Sequence, residues 1–348
     1  MGFKSLKSFF RRIRLALSKL VPRTMALWPY RFTLFAHQVL ARRLLSPAPQ
    51  IWARNSYVSG SLLPFISDLD LTVWFDQAPT PSELISLNRW FALFSKLLPL
   101  VKECNIYVRE EALSFFDFAN MFEIERDPQL VAKIGHKPSQ KAKQEYISFL
   151  LRMLDADSDN LINQPEVRLA KWTNHFKLGN QLLQITPPSF TGGFDLACVI
   201  EAIAQLIEAE APEERRKAAE AIHQYIVDKA QFDKVYGAVG DPWKWALFPH
   251  RYCYSKELPG RLNAAQTDIF CTQLRWEIWG LLGQVRRPRV ISNFGHHIER
   301  LELLLSKVSS SMNPAEKASI ESGVKRLSSL ISLQNQISEI NPLKSVLP

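Results

Sequence analysis

The stretch Ser-Asp-Leu-Asp-Leu-Thr-Val-Trp-Phe, residues 67–75, decides the fold of this chain. Its β-branched and aromatic residues predict a β-strand. Residues two apart on a strand point to the same face, so Asp68 and Asp70 should project together. Two neighbouring carboxylates repel each other unless a cation lies between them, and oxygen ligands of this kind suit Mg²⁺. The stretch therefore predicts a magnesium site at the start of a strand.

A tight turn at Gly60-Ser61 precedes this strand and could bring backbone N–H groups close to phosphates. The two features together resemble the nucleotidyltransferase superfamily related to DNA polymerase beta. In that family an apolar residue is followed by Gly and then by Gly or Ser. After a spacer comes the sequence Asp-apolar-Asp-apolar. The resemblance covers roughly residues 50–110. The spacer between Ser61 and Asp68 is shorter than is usual in the family, and it lacks the Arg often found there.

The resemblance implies transfer of a nucleoside monophosphate from an NTP, such as ATP, to an acceptor hydroxyl of unknown identity, with release of pyrophosphate. It implies that Asp68 and Asp70 hold Mg²⁺ as catalytic and metal residues, and that Gly60, Ser61 and Ser67 bind the nucleotide. It also implies a third carboxylate, supplied by a later strand that lies beside the first two.

The later strand is predicted at residues 103–109, after a helix that begins at Thr80-Pro81-Ser82-Glu83 and ends near Pro99. Thr80 can be the N-cap of that helix and Glu83 can complete a capping box. Apolar and polar residues then alternate from Glu103 to Arg109, as in a strand. The order strand–helix–strand fits the core of the superfamily.

Two residues compete for the third metal position, Glu103 and Asn105, because both lie on the polar face of this strand. Glu103 is the only carboxylate there and is the candidate for completing the site and deprotonating the acceptor. Asn105 at that position would remove one negative charge from the site. The alternative function is then a catalytically degenerate domain that serves as an interaction protein.

Positive charge is concentrated at the N-terminal end of the chain. The net charge is +9, yet residues 1–67 contain 11 of the 43 basic residues and none of the 34 acidic ones. The remainder is thus slightly acidic, which argues against nucleic acid as a partner and against the second alternative, a tRNA or RNA-end nucleotidyltransferase. Residues 1–23 predict a basic amphipathic helix, which could contact a membrane surface or pack on the body.

Four cysteines without a C-x-x-C pair are typical of reduced thiols, so a cytoplasmic protein is expected, either free or peripheral to a membrane. The predicted class is α+β: basic N-terminal helices at 1–47, a small mixed-sheet nucleotidyltransferase-like domain at 48–135, and a mostly helical domain at 136–348. Within the last, the tryptophan pairs at 243 and 245 and at 276 and 279 are predicted to pack in a helical core rather than to stack on a base.

Residues 155–166 resemble the calcium-binding loop of an EF-hand, with acids at positions 1, 3, 5 and 12 between helical flanks. Asn160 replaces the turn glycine of that motif, and the chain has a single copy. The alternative is a polar connection between two helices. Either way, a loop is expected to interrupt the helical pattern here.

Overall fold

The structure, a computed structural model, describes residues 20–45, 48–53, 68–97, 100–111, 140–163, 196–207, 211–230, 240–253, 260–286 and 294–340, together with Arg168, Trp172, Thr173, His175, Phe176 and Leu183. Three predicted features lie outside these residues. They are most of the amphipathic helix at 1–23, the turn at Gly60-Ser61, and Ser67. The side chain of Glu103 also lies outside the described part, although its backbone is described.

The described chain forms a three-stranded sheet within a mainly helical protein, which confirms the predicted α+β class. The elements are α1 (Arg23–Ala26), α2 (Trp28–Leu44), β1 (Gln50–Ala53), β2 (Leu69–Phe75), α3 (Pro81–Leu97), β3 (Val101–Val108), α4 (Gln140–Asn163), α5 (Leu196–Leu206), α6 (Pro212–Ala230), α7 (Pro242–Leu247), α8 (Pro249–Tyr252), α9 (Ala264–Val285), α10 (Phe294–Val308), a 3₁₀ turn (Ser309–Ser311) and α11 (Pro314–Ile340).

Strand β2 is the centre of the sheet, between an antiparallel β1 and a parallel β3. Helix α3 connects the two parallel strands, so the predicted strand–helix–strand order is present. Its capping box is present too: the Thr80 N–H donates to Glu83 Oε2 at 2.7 Å, and the Glu83 N–H donates to Thr80 Oγ1 at 3.3 Å. The last strand was predicted at 103–109 and lies at Val101–Val108 instead, two residues earlier at its start.

One face of the sheet is apolar along its whole length. Alternate residues of β2, from Leu69 to Phe75, are buried there with Ile51 and Ala53 of β1 and with Val101, Cys104, Ile106 and Val108 of β3. Helices α2 and α3 cover this face and contribute Tyr30, Ala41, Leu87, Trp90 and Phe91 to the same core, which also contains Leu45 just after α2. Burial of this side fixes which way the remaining β2 side chains must point.

The opposite face carries aromatic side chains at one end. Tyr107 of β3 stacks on Trp279 of α9 with ring centroids 4.1 Å apart, and Trp74 lies 5.4 Å from Tyr107. Gly283 of α9 permits this approach, because a Cβ there would lie 2.5 Å from the Tyr107 ring. These aromatic residues belong to the large helical core, which also contains Trp243, Trp245, Trp276 and Trp279, as predicted.

The predicted interruption at 155–166 is wrong over its described residues. Helix α4 continues through Asn163, so Asp155, Asp157 and Asp159 lie on a helix and not on a loop. An EF-hand loop gathers its acids around one ion by turning the backbone inward, which a continuous helix does not do. Residues 164–166, with Glu166, lie outside the described part.

None of the helices in the described part of the chain combines the length and apolarity that crossing a bilayer requires.

Candidate functional site

The carboxylates singled out from the sequence lie at the first residues of the central strand. Asp70 is the second residue of β2 and Asp68 directly precedes the strand, and both are half-buried. Their neighbours Leu69 and Leu71 are fully buried against the α2 and α3 side. Because side chains alternate along a strand, Asp70 lies on the opposite face, the one that Trp74 shares.

The register between β2 and β3 brings a third carboxylate position opposite Asp70. Leu69 pairs with Val101, and a regular ladder would therefore place Asp70 opposite residue 102. The register instead shifts by one residue between Leu69 and Asp70, so that Asp70 pairs with Glu103. Bulges of this kind occur next to active sites, where they redirect a side chain. The sequence contains no signal for this shift, because it follows from how the two strands meet.

Asn105, the competing residue, lies deeper in the same face. It pairs with Thr72 rather than with Asp70, and both are buried. The Asn105 side-chain amide donates a hydrogen bond to the Tyr107 hydroxyl at 3.3 Å. Asn105 thus lies in the buried middle of this face. The neighbouring pair on the same face is the one that contains the half-buried Asp70.

The described residues of this site supply only part of a set of metal ligands. Among the described residues, no group of three or more His, Cys, Asp or Glu is placed to hold a metal ion. Asp68 and Asp70 supply two carboxylates, which is a number that Mg²⁺ commonly takes from a protein, with water and phosphate oxygens completing the octahedron. The contacts predicted for Gly60, Ser61 and Ser67 lie outside the described residues and stay predictions.

A second polar cluster surrounds Asp155 between α4, α6 and α8. Asp155 accepts a hydrogen bond from the Tyr225 hydroxyl and forms ion pairs with Lys229 at 3.2 Å and Arg251 at 3.3 Å. His250 Nε2 lies 3.4 Å from Asp155 Oδ2. Burial alone would raise the pKa of Asp155, but hydrogen bonds from His250 and Tyr225 and the nearby positive charges hold that pKa well below its usual range.

Asp157 points to different partners, although it lies only two residues further along. It accepts a hydrogen bond from the Trp172 indole N–H at 3.2 Å and lies 3.4 Å from Arg168 Nε. Asp159 is exposed. Asp155 and Asp157 therefore connect α4 to different segments and do not converge on a shared point.

A buried ion pair connects the end of the sheet to the helices. Glu111, just after β3, accepts a bidentate pair of hydrogen bonds from Arg286 at the end of α9, one of them 2.8 Å long. Arg326 of α11 lies 2.8 Å from the same carboxylate. Sequence reasoning missed this group, because the partners are separated by 175 positions and no local pattern connects them.

No protein-family model, no curated protein and no solved structure matches this chain.

Proposed function

We propose that this protein is a metal-dependent nucleotidyltransferase that moves a nucleoside monophosphate from an NTP to an acceptor hydroxyl. One observation carries this proposal: the register shift that places Asp70 opposite Glu103 at the half-buried end of the sheet. A shift of one residue changes which β3 position lies beside Asp70, and here it exchanges a lysine position for a carboxylate position.

The chemistry assigned to these residues is an in-line displacement at the α-phosphorus. The acceptor oxygen forms the new bond, the bond to the bridging oxygen breaks, and pyrophosphate leaves with that oxygen. Asp68 and Asp70 would hold Mg²⁺, which would act as a Lewis acid and offset the charge that develops on the phosphates. Glu103 would accept the proton of the acceptor hydroxyl. Gly60, Ser61 and Ser67 are the residues proposed to bind the nucleotide.

Asp70→Asn tests the metal site directly. The wild type is incubated with Mg²⁺ and ATP, GTP, CTP or UTP, and both nucleotide binding and pyrophosphate release are measured. The substitution removes one charge from the proposed ligand set and should lower pyrophosphate release at least about a thousandfold. Glu110→Gln is the matched control, because Glu110 is an exposed carboxylate just beyond β3.

Three outcomes separate the functional hypotheses. Loss of pyrophosphate release in Asp70→Asn but not in Glu110→Gln supports the assignment as an enzyme. Equal release in the wild type and in Asp70→Asn would overturn the assignment. Magnesium-dependent NTP binding without release or label transfer, in the wild type as well, would replace it by the non-catalytic interaction protein.

The third position is tested by a pair of substitutions, Glu103→Gln and Asn105→Asp. Glu103→Gln should slow release about a hundredfold, in keeping with the loss of a general base. Asn105→Asp adds a carboxylate at a residue that is only 6% exposed. It should therefore lower the free energy of unfolding by about 1–3 kcal/mol without raising release. Faster release in Asn105→Asp would instead assign the metal position to residue 105.

A further inference from the structure

The outer side of helices α1 and α2 carries a stripe of exposed apolar side chains, Met25, Trp28, Phe32 and Phe35. They are 68%, 65%, 47% and 62% exposed, respectively. We call these four residues the aromatic stripe. The rings of Trp28 and Phe32 stack at 5.4 Å. Spacings of three and four residues place Trp28, Phe32 and Phe35 along one side of α2.

The other side of α2 is packed on the protein. Tyr30, His37 and Ala41 are buried there, and the His37 ring lies 4.9 Å from the ring of Trp90 in α3. The Gln38 side chain also donates to the backbone oxygen of Ile51 in β1 at 2.9 Å. The helix is therefore held on the body by one side, while the aromatic stripe on the other side adds nothing to this core.

The charged side chains of α1 and α2 are all basic. Arg31, Arg42 and Arg43 of α2 are exposed, and neither α2 nor the rest of residues 1–67 contains an Asp or Glu. A partner for this side must therefore accept apolar side chains and carry negative charge. A second copy of the chain does not fit, because two such sides would bring like charges face to face.

We propose that the aromatic stripe docks this protein on the surface of an anionic lipid bilayer. Tryptophan and phenylalanine side chains insert at the boundary between headgroups and acyl chains, where an amphipathic helix lies in the plane of the membrane. The arginines are attracted to the anionic headgroups. This contact is separate from the proposed transferase site and does not depend on it.

The full-length chain with Trp28→Ser, Phe32→Ser and Phe35→Ser tests this surface in a co-sedimentation assay. The vesicles contain phosphatidylcholine, with or without phosphatidylserine. Removing the three side chains should lower binding to phosphatidylserine vesicles at least about tenfold. Because these side chains are exposed, the fold should be kept, which thermal unfolding checks. Leu93→Ser is the matched control, since Leu93 is 57% exposed on α3, outside the basic segment.

Arg31→Gln, Arg42→Gln and Arg43→Gln test the charge. Each should weaken binding about fivefold at low salt, and the effect should shrink as salt screens the headgroups. Arg215→Gln, on the exposed side of α6, should leave binding unchanged. Unchanged binding in the triple serine variant would assign any vesicle contact to another segment and overturn the proposal. Equal binding to neutral vesicles would also overturn it, as would dimers in light scattering that the triple variant abolishes.

Discussion

Aspartates spaced two residues apart occur at 68–70 and at 155–159, and the two segments have different backbone conformations. Asp70 lies on β2, where side chains alternate between the two faces of the sheet, and Asp68 directly precedes that strand. On α4, residues two apart lie about 200° apart around the helix axis, so the acids diverge. Asp155 contacts α6 and α8, whereas Asp157 contacts Trp172 and Arg168.

Two acids spaced two residues apart can therefore bind the same ion on a strand, where alternate residues share a face, but not on a helix, where they diverge. Asp155 has its charge balanced within the protein by Lys229 and Arg251 and serves stability. At the start of β2 the register places the backbone of Glu103 opposite Asp70. Negative charge that accumulates on one face favours a cation from solution.

The largest expected effect is a difference in stability between Asp155→Asn and Asp70→Asn. Asp155→Asn should lower the free energy of unfolding by about 3 kcal/mol, because it leaves the largely buried cations without their counter-charge. Asp70→Asn should change that free energy by less than about 1 kcal/mol, since Asp70 is half-buried and lies on a face proposed to bind a ligand. Urea unfolding of both variants measures the contrast, and equal losses would contradict it.

The second effect concerns how firmly β3, the strand that carries Glu103, is held by the helices. Gly283→Ala places a methyl group against the Tyr107 ring, which already stacks on Trp279 and has little room to move. It should lower the free energy of unfolding by about 1–3 kcal/mol.

Gly280→Ala is the control for this substitution, on the same helix. Nothing lies within 4 Å of a Cβ there, so helix propensity should make it neutral or stabilising by up to about 1 kcal/mol. Thermal unfolding of the two variants compares them. Equal melting temperatures would mean that the Tyr107 contact is not tight.

The third effect is the pH dependence of the Asp155 contribution. Because the pKa of Asp155 is lowered in the folded protein, its stabilisation is fully present above the usual carboxyl range near pH 4 and is lost as the pH falls below it. The difference in stability between the wild type and the Asp155→Asn variant should shrink by up to about 1.4 kcal/mol per pH unit there.

The measurement is made in a His250→Gln background, so that titration of the imidazole does not contribute. Urea unfolding at pH 7, 5, 4 and 3 gives the stability difference between the chain with Asp155 and the chain with Asp155→Asn. If this stability difference stays constant below pH 4, the charge of the Asp155 carboxylate does not contribute to the stability of the folded protein.

The smallest expected effect is that of calcium at residues 155–166, which should be nil. A continuous α4 does not gather the three aspartates, so Ca²⁺ should change the melting temperature equally in the wild type and in Glu166→Gln. Comparing the two proteins removes any contribution of calcium at the β2 carboxylates. A calcium-dependent rise present only in the wild type would restore the EF-hand interpretation for this segment.

Local patterns were sufficient for several elements. The β-branched run predicts β2, and the Thr80–Glu83 capping box predicts the start of α3. These depend on contacts within a few residues along the chain, which the sequence contains in full. The helix at 155–163 was missed because the residues that match a calcium-binding loop are also compatible with a helix. The contacts of Asp155 with Tyr225 and Arg251 favour the helix.

By itself, the sequence determined the α+β class, the strand that carries Asp70, and the acid-free basic segment at the N-terminus. Only the tertiary structure decided that Asp70 lies opposite Glu103, that Glu111 pairs with Arg286, and that the aromatic stripe of α1 and α2 faces outward. The physical reason is the same in each case. Helix and strand periods are local, whereas register, ion pairing and the exposed side of a helix depend on distant segments that compete for the same surface.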